Sequence, residues 1–427
     1  VYLAKRGYTV DVFDRRPDIR LLKIIQGKSI NLALSDRGWK GLEGAGLGAE
    51  IREVALPMFG RLMHNLDGTE VYQPYGKDGQ AIYSVSRGIL NETLITEAET
   101  LGVDFYFNEQ CVDVDFKNTK AVFENIETKE HTTSEPDFLL ATEGAYSEVR
   151  FQMQRTHNFN LNQQHELYGY KELTIPAKDG KHQIANNALH IWPRESFMMI
   201  ALPNLDGSFT CTLFAPYHGE NGFDKLKTKD DVAAYFNKNF PDAIALMPSL
   251  TEDFFEHPTG SLVTVRCFPW KVNNVCLIGD AAHAIVPFYG QGMNCGFEDV
   301  RLLDELLDAN QNDWDKTLDA FQHSRKPNAD AIADLALYNF IEMRDLSGRD
   351  DFQLRLKIEK RIAEAFPTKF QTLYSMVTFN QTPYSEAQAR GKKQGNLLDE
   401  IMQIENIHEI WHSDAVLKIA EEWLREN

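Results

Sequence analysis

The chain has 427 residues, of which 43% are hydrophobic and 25% charged, so it can bury a large core and is long enough for two or three lobes. Its formal net charge of −19, from 44 basic and 63 acidic residues, excludes nucleic acid and anionic membrane surfaces as partners unless a basic patch exists, and the sequence contains none. Five cysteines without a CxxC pair predict a reducing compartment, the cytoplasm, and no apolar run reaches the roughly 18 residues of a membrane span.

The first elements predict part of a nucleotide-binding fold. The string "VYLAKRGYTVDVFDRR" indicates the end of a helix over Val1 to Arg6, a left-handed stop at Gly7 and a strand from Thr9 to Phe13 that ends in Asp14. In a dinucleotide-binding βαβ unit, such an acid follows a GxGxxG loop by about 20 residues and binds a ribose hydroxyl. Counting back about 20 residues from Asp14 goes beyond the first residue of the given chain. We therefore expect either that the glycine loop precedes the given chain or that the likeness is accidental.

The middle of the chain predicts short strands followed by a sheet of a different kind. The strings "DFYFNEQCVDVDFKN", "KAVFENIE" and "PDFLLATEG" are typical of short strands, after an amphipathic helix in "SRGILNETLITEAETLGV". From about Tyr168 to Pro216, apolar and polar residues alternate, which predicts half-buried antiparallel strands. The string "DDVAAYFNKNFPDAIALM" predicts a helix, and the chain after Asp299 is rich in helices to its end.

The string "CLIGDAAHAIVPFYGQGMNCGFED" carries the strongest chemical signal. It predicts Asp280 at the carboxyl end of a buried strand, followed by small residues that allow close approach of a ligand. The next segment, "GQGMN", opens a helix whose free N–H groups favour anionic or carbonyl oxygens. A ribityl chain with its pyrophosphate, or the O2 edge of a flavin, fits both the Asp280 turn and the start of the next helix. A bare Gly-Asp pair would more often only cap a helix, but the full string favours a ligand.

This string resembles the flavin-contacting motif of the single-component aromatic hydroxylases. The string "LLATEGAYSEVR" is similar to their Asp-Gly motif, with Glu143 in place of the usual Asp, and "YSVSRGILNETL" to the helix whose arginine, here Arg87, approaches the flavin phosphates. More narrowly, "GRLMHNLDGTEVYQPYG", "SVSR", "ALYNFIEMRD" and "LYSMVTF" resemble, in this order around the flavin motif, segments of the kynurenine 3-monooxygenases. The resemblance implies hydroxylation of L-kynurenine to 3-hydroxykynurenine with FAD, NADPH and O2, through a hydroperoxide of the reduced flavin.

The same resemblance implies which residues form the site. The amino-acid end of the substrate is held by Arg61, Tyr75, Asn339 and Tyr374. The aromatic pocket is lined by Phe214, Pro287, Phe288 and Met343. The flavin is contacted by Asp14, Arg16, Ala33, Arg87, Cys111, Asp280, Gly292, Met293 and Asn294. We expect His283 to be a structural donor, no protein group to act as a catalytic acid or base, and no metal ligand set.

The predicted fold class is α/β, with three parts. A Rossmann-like FAD-binding domain without its N-terminal glycine segment comprises residues 1–56, 80–160 and 265–310, an antiparallel-sheet substrate domain comprises 57–79 and 161–264, and a helical C-terminal region comprises 311–427. The final helix, in "NIHEIWHSDAVLKIAEEWLREN", is interrupted by charges and predicts a soluble amphipathic helix and no membrane anchor. Two alternatives stay open: an FAD-dependent hydroxylase of a phenolic acid, and a flavin-free binding protein.

Overall fold

A computed structural model describes residues 1–21, 31–76, 79–343 and 349–426. Residues 22–30 of the predicted FAD-binding domain and residues 344 and 345 of the "ALYNFIEMRD" string lie outside this description. The strands are β1 (Asp11–Asp14), β2 (Asn31–Leu34), β3 (Ala55–Met58), β4 (Gly60–His64), β5 (Glu70–Pro74), β6 (Ile82–Ser86), β7 (Asp104–Phe107), β8 (Glu109–Asp115), β9 (Lys120–Asn125), β10 (His131–Ser134), β11 (Leu139–Ala141), β12 (Asn160–Ile175), β13 (Leu189–Arg194), β14 (Phe197–Pro203), β15 (Phe209–Pro216), β16 (Gly260–Phe268), β17 (Lys271–Val272) and β18 (Val275–Leu277).

The helices of the described residues alternate with these strands in the first two thirds of the chain and follow one another in the last third. They are α1 (Tyr2–Lys5), α2 (Asp36–Gly44), α3 (Gly48–Val54), α4 (Arg87–Thr100), α5 (Glu148–Met153), α6 (Lys229–Asn239), α7 (Pro241–Ile244), α8 (Leu250–Glu256), α9 (Asp280–His283), α10 (Gly292–Ala309), α11 (Trp314–Ile341), α12 (Asp350–Ala365), α13 (Leu373–Thr378), α14 (Tyr384–Met402), α15 (Ile407–Ile410) and α16 (Asp414–Glu426).

The lobe that carries the flavin motifs contains parallel strand pairs. β1 pairs in parallel with β7, and β11 pairs in parallel with β18. α1 is followed by Gly7, whose φ of +84° is the left-handed conformation predicted for this position. β1 ends at Asp14 as predicted, although it begins at Asp11 and not at Thr9. Parallel strands joined through helices confirm the α/β class.

The second lobe is built on a seven-stranded sheet with the order β16-β12-β15-β14-β13-β4-β5. Its pairs are antiparallel as predicted, except for β13 and β4, which run in parallel with Leu189 opposite Arg61. The chain enters this sheet twice, first through β4 and β5 and again from β12 onward. The early entry places Arg61 in the sheet although it precedes the rest of the sheet by about 100 residues of sequence.

The predicted alternation of buried and exposed residues in this sheet is wrong for its central strands. β15 is buried at every residue except Pro216, and β14 at every residue except Ile200. The reason is that both faces are covered. α6 to α8 pack Phe236, Phe240 and Phe254 against one face, while Phe288 and Phe340 belong to the cluster on the other. A strand covered on both sides loses the polar half of its pattern.

Two glycines bring α2 and α10 into close contact. A Cβ atom added at Gly38 would lie 2.3 Å from Oδ1 of Asn294, and one added at Gly41 would lie 2.8 Å from the carbonyl oxygen of Phe297. Only glycine allows this backbone approach, because any side chain would overlap atoms of α10. The start of α10, where "GQGMN" lies, is therefore held directly against α2.

The C-terminal part is helical, as predicted, and buries a cluster of its own. α12, α14 and α16 contribute Ile358, Leu397, Ile401 and Val416 to that cluster. Within the described ranges, no helix combines the length and the apolar character that a bilayer crossing requires.

We predict that Gly38→Ala destabilises the protein by about 1–3 kcal/mol, because the new methyl group overlaps Asn294 and the fully buried Leu34. The matched control is Gly296→Ala in α10, where an added Cβ meets no atom within 4 Å. This control should be neutral or should stabilise by up to about 1 kcal/mol, because alanine favours the helix. Urea unfolding of both variants measures the difference, and equal stabilities would contradict the close packing.

Candidate active site

The flavin motif begins in β18 and continues through the turn that follows this strand. Gly279 adopts φ +61° and ψ −140°, a conformation that is essentially restricted to glycine, and turns the chain so that Asp280 begins α9. The side chain of Asp280 is accessible to solvent, and His283 and Arg87 lie near it. Loss of surrounding water raises the pKa of Asp280, and the nearby His283 and Arg87 oppose this rise. Asp280 and Arg87, both predicted to contact the cofactor, therefore lie near each other.

The start of α10 offers backbone N–H groups without a side-chain cap. The N-cap residue, Gln291, makes no capping hydrogen bond, and its side chain instead accepts one from the Tyr384 hydroxyl at 2.9 Å. The first-turn residues Gly292 and Met293 are partly exposed. Because α10 spans 18 residues, its dipole makes this end attractive to negative charge.

Asn294 lies in the first turn of α10, and its side chain makes hydrogen bonds to the protein itself. Its Nδ2 donates to the carbonyl oxygens of Ala33 at 2.8 Å and Gly290 at 2.7 Å, and its Oδ1 accepts from the Ser35 N–H at 2.9 Å. The residue is fully buried. Asn294 thus holds β2, which carries Ala33, against the helix start. Any contact with a cofactor would come from its backbone.

The remaining predicted flavin residues lie at two places, the end of β1 and the strand β8. Asp14, at the carboxyl end of a parallel strand, accepts from the backbone N–H of Arg16 at 2.9 Å and pairs with its guanidinium at 3.1 Å. Cys111, in β8, is half-buried, and burial together with Glu143 and Glu148 raises the pKa of its thiol to about 12. The thiol is therefore protonated at neutral pH.

Glu143, which replaces the usual aspartate of the family motif, caps α5. Its Oε2 accepts from the Ser147 hydroxyl at 2.5 Å and from the Val149 N–H at 3.2 Å. Burial raises the pKa of Glu143, and these hydrogen bonds oppose the rise. The carboxyl group of Glu143 thus reaches the start of α5 and also lies near Cys111.

A chain of buried charges runs behind the flavin motif. His283 Nε2 lies 2.6 Å from Asp299 Oδ2, and Asp299 Oδ1 accepts from Arg325 Nε at 2.6 Å. Arg325 Nη1 lies 2.8 Å from Glu298 Oε2, and Glu298 Oε1 accepts from Arg37 Nη1 at 2.6 Å. All five side chains are buried, and this ionic chain confirms the structural role expected of His283. The sequence analysis did not predict the other four residues of this chain. The charged pair Glu298-Asp299 within an apolar helix face could have indicated buried ion pairs.

Three potential metal ligands meet in the ionic chain, contrary to the expectation that no such set exists. The ligand atoms of His283, Cys295 and Asp299 lie within 4.8 Å of one another. Arg325, however, pairs with Asp299 and also donates from Nη2 to Cys295 Sγ at 3.3 Å. Burial alone would raise the pKa of Asp299, but His283 and Arg325 together lower it. A guanidinium therefore supplies the positive charge that a metal ion would bring.

Arg61 lies in a cage of tyrosines, where two of its predicted partners join it. Its guanidinium carbon is 4.6 Å from the ring centre of Tyr374 and 5.8 Å from that of Tyr75, and these two rings stack at 5.5 Å. The ring of Tyr289, which sequence reasoning missed, stacks on Tyr374 at 5.8 Å. Within the described residues, Nε of Arg61 is buried without a hydrogen-bond partner.

The charge of Arg61 is maintained despite its enclosure. Burial opposes the charged form, but Tyr374, Tyr75 and Glu342 act in the other direction, so that the pKa of Arg61 is raised above its usual value. A cation with a buried, unpartnered N–H is a site that an anionic acceptor would complete.

Asn339 is placed near the pocket but its donors are used. Its Nδ2 donates to the carbonyl oxygen of Phe288 at 2.7 Å and to Met343 Sδ at 3.3 Å. These contacts leave Oδ1, an acceptor, as the group that Asn339 can direct to a ligand, and an acceptor does not suit a carboxylate. The predicted neighbourhood of Asn339 and Met343 on one helix face is confirmed, since the two side chains touch.

Phe214, Phe288 and Met343, which are predicted to line an aromatic pocket, lie in one apolar cluster. The rings of Phe214 and Phe288 are 5.0 Å apart, and Phe288 stacks on Phe340 at 4.0 Å. Pro287 begins the single turn that carries Phe288, and Met343 packs against the same cluster. Phe340 was missed by sequence reasoning, although its place directly after Asn339 could have indicated it.

Comparisons with known proteins agree with this geometry. Residues 3–336 match the family described as FAD binding domain. The chain is 48% identical over 418 residues to a kynurenine 3-monooxygenase of Flavobacterium johnsoniae, covering 97% of this chain and 93% of that protein. It is 41% identical to a kynurenine 3-monooxygenase of Dictyostelium discoideum, covering 97% and 92%.

Solved structures share the fold at low sequence identity. A tetrameric form of 2-methyl-3-hydroxypyridine-5-carboxylic acid oxygenase superposes with a TM-score of 0.66 at 18% identity, covering 82% of this chain and 89% of that one. PqsL of P. aeruginosa, in complex with 2-aminobenzoylacetate, superposes with a TM-score of 0.62 at 17% identity, covering 81% and 92%. Because relatives above 40% identity span nearly the whole chain and the FAD-binding family spans residues 3–336, this chain belongs to the kynurenine 3-monooxygenase family of FAD-dependent monooxygenases.

Proposed function

We propose that this protein hydroxylates L-kynurenine to 3-hydroxykynurenine, with FAD as cofactor and NADPH and O2 as co-substrates. The observation that carries the proposal is the enclosed Arg61, whose Nε is buried without a hydrogen-bond partner in the described residues, beside the rings of Tyr374 and Tyr75. A planar guanidinium with a neighbouring phenol matches the two oxygens of an α-carboxylate.

The residues present fit FAD. Asp280 presents an accessible carboxylate in the turn after β18, which can accept hydrogen bonds from ribityl hydroxyls, and the uncapped start of α10 can donate to an electron-rich oxygen. We propose the predicted contact residues Asp14, Arg16, Ala33, Arg87, Cys111, Gly292 and Met293 for the rest of the cofactor. FAD, when bound, accepts a hydride from NADPH and activates O2 for transfer to the ring.

The protein contributes position and exclusion of water. The ring of an aminoaromatic ketone is already electron-rich, so no strong protein base is needed. Phe214, Phe288 and Phe340 offer an apolar surface for that ring, and Met343 closes one side. An apolar pocket keeps water from the reaction centre, and the grip of Arg61 on the distant carboxylate fixes which ring carbon faces the flavin.

Half-buried acids beside the tyrosine cage of Arg61 favour an amino acid over a phenolic acid as substrate. Burial raises the pKa of Glu342, opposed by Arg61 and Arg355. Burial and the neighbouring Glu342 raise the pKa of Glu359 to about 7. An acid close to Arg61, Glu342, suits the α-ammonium group that accompanies the carboxylate of kynurenine, whereas a phenolic acid has no cation to place there. The five unpaired cysteines support our proposal of a reducing, cytoplasmic location.

The test is oxidation of NADPH by the flavin-loaded protein, with and without L-kynurenine, and identification of the product by mass. We expect L-kynurenine to accelerate NADPH oxidation and to yield a product heavier by one oxygen atom. Hydroxylation of a phenolic acid in place of kynurenine would support the alternative hydroxylase. Absence of bound flavin would support the binding protein.

Arg61 variants test the carboxylate contact. Arg61→Ala should weaken L-kynurenine binding by on the order of 2–5 kcal/mol, because the buried carboxylate loses its partner. Arg61→Lys should fall between this variant and the parent, since it keeps the charge and loses the planar fork. Flavin content should be unchanged. The measurement is equilibrium titration with L-kynurenine and with its decarboxylated analogue. Equal affinities of Arg61→Ala and the parent would remove Arg61 from the site.

The raised pKa of Glu359 predicts a pH dependence of stability. Its pKa is about 7 in the folded state against a usual value of 4.5, so the folded state binds the proton more tightly. The protonated Glu359 contributes up to about 3 kcal/mol to the free energy of unfolding. This contribution is fully present below pH 4.5 and is lost as the pH rises through 7. Glu359→Gln should therefore flatten the fall in unfolding free energy between these pH values.

The control for this experiment is Glu364→Gln, an exposed position in the same helix. Urea unfolding at several pH values measures the slopes. If Glu359→Gln and the parent lose stability in parallel between pH 5 and 8, Glu359 is not a buried, proton-binding neighbour of the pocket.

A further inference from the structure

Arg37 stands at the junction of the flavin motif and the helix that carries Tyr374. It lies in α2, and its side chain is fully buried. Its Nη1 pairs with Glu298, the end of the ionic chain that begins at His283 beside Asp280. Its other nitrogen atoms donate in the opposite direction, toward α13. Arg37 thus contacts both halves of the site without reaching either ligand.

Three backbone carbonyl groups receive the remaining donors of Arg37. Nε donates to Val377 O at 2.9 Å, and Nη2 donates to Met376 O at 3.2 Å and to Thr382 O. Met376 and Val377 belong to the end of α13, where carbonyl groups have no partner within the helix. A cation at this end is also favoured by the helix dipole. Arg37 is therefore the C-terminal cap of α13, supplied by a distant part of the chain.

The helix that Arg37 caps presents the aromatic side of the Arg61 cage. Tyr374 lies in the first turn of α13, and Phe379 directly follows the helix. The Tyr374 ring stacks with Tyr75, and the Phe379 ring lies 5.7 Å from Tyr75. Because α13 has only six residues, a shift at its end moves Tyr374 by a comparable amount. The position of Tyr374 relative to Arg61 therefore depends on the donors of Arg37.

We propose that Arg37 is a positioning residue for substrate binding, which acts through α13 to place Tyr374 beside Arg61. This inference rests on the proposed function, because it assigns Tyr374 to the amino-acid end of kynurenine. Lysine cannot replace Arg37, since a single ammonium cannot pair with Glu298 while it also donates to carbonyl groups on three residues. Substitution of Arg37 leaves intact the ion pairs of Asp299 with Arg325 and His283, which lie nearer the proposed flavin site.

The experiment compares Arg37→Lys with the parent in its flavin-loaded form. We expect flavin content to be retained, the dissociation constant for L-kynurenine in calorimetric titration to rise about tenfold, and hydrogen exchange at the amides of residues 376–382 to accelerate. KM should rise more than kcat falls. Lys171→Met is the matched control, because Lys171 is also buried and donates to a backbone carbonyl, that of His257, at 2.7 Å.

A double-mutant cycle separates positioning from general destabilisation. If Arg37 acts through Tyr374, Arg37→Lys should weaken kynurenine binding much less in a Tyr374→Phe background than in the parent, whereas independent effects would add. Additive losses, or unchanged kynurenine affinity in Arg37→Lys, would overturn the proposal.

A second variant keeps the proposal testable if Arg37→Lys does not fold. The pair Arg37→Met and Glu298→Met removes one buried cation and one buried anion together and leaves Arg325 with Asp299, a replacement that is often tolerated. It should bind flavin and bind kynurenine about tenfold more weakly than the parent. Parent-like affinity would contradict the role of Arg37. If the parent itself does not bind kynurenine, the proposed function fails, while exchange at residues 376–382 still tests the cap.

Discussion

Burial of four charges in one ionic chain is the constraint on which the rest of the structure depends. Arg37, Glu298, Arg325 and Asp299 alternate in sign and come from α2, α10 and α11, with His283 at the end next to the flavin motif. Removing such charges from water costs several kcal/mol for each ion, so the arrangement is stable only when every partner is in place. The helices can therefore dock in one register only. That register sets the position of the Asp280 turn and of the end of α13 at the same time.

The proposed substrate pocket lies where two layers meet along this frame. The sheet supplies Arg61 and Tyr75 from β4 and the segment after β5, while the helical layer supplies Tyr374, Tyr289 and Phe288. Neither layer alone encloses the guanidinium of Arg61. In the proposed function the fold thus separates two tasks: local sequence motifs form the cofactor site, and long-range docking brings together the residues proposed to bind the substrate. The buried Nε of Arg61 has no hydrogen-bond partner among the described residues, which is a cost that a carboxylate ligand would offset.

The sequence predicts features that depend on neighbouring residues and misses those that depend on distant ones. The turn at Gly7, the strand end at Asp14 and the Gly-Asp turn at Asp280 follow from local spacing, and the structure confirms these elements. The ionic chain could not be predicted, because Arg37 and Glu298 are 261 residues apart in sequence and burial of either charge is improbable until both are placed. The sequence predicts that Asn294 and Asn339 contact ligands, yet the folded chain uses the donors of both side-chain amides internally. The three domain ranges and the ligand contacts of the site residues stay predictions, since a boundary or a contact depends on packing that no local pattern specifies.

The most direct measurement is a crystal structure of the protein with FAD and L-kynurenine bound together. Our account predicts the carboxylate of kynurenine on Arg61 with Tyr75 and Tyr374, the aromatic ring against Phe214 and Phe288, and the flavin between Asp280 and the start of α10. It also predicts that Arg37 keeps its contacts with Glu298 and the end of α13 in that complex. A kynurenine carboxylate bound away from Arg61, or a flavin that does not contact the Asp280 turn, would contradict the account.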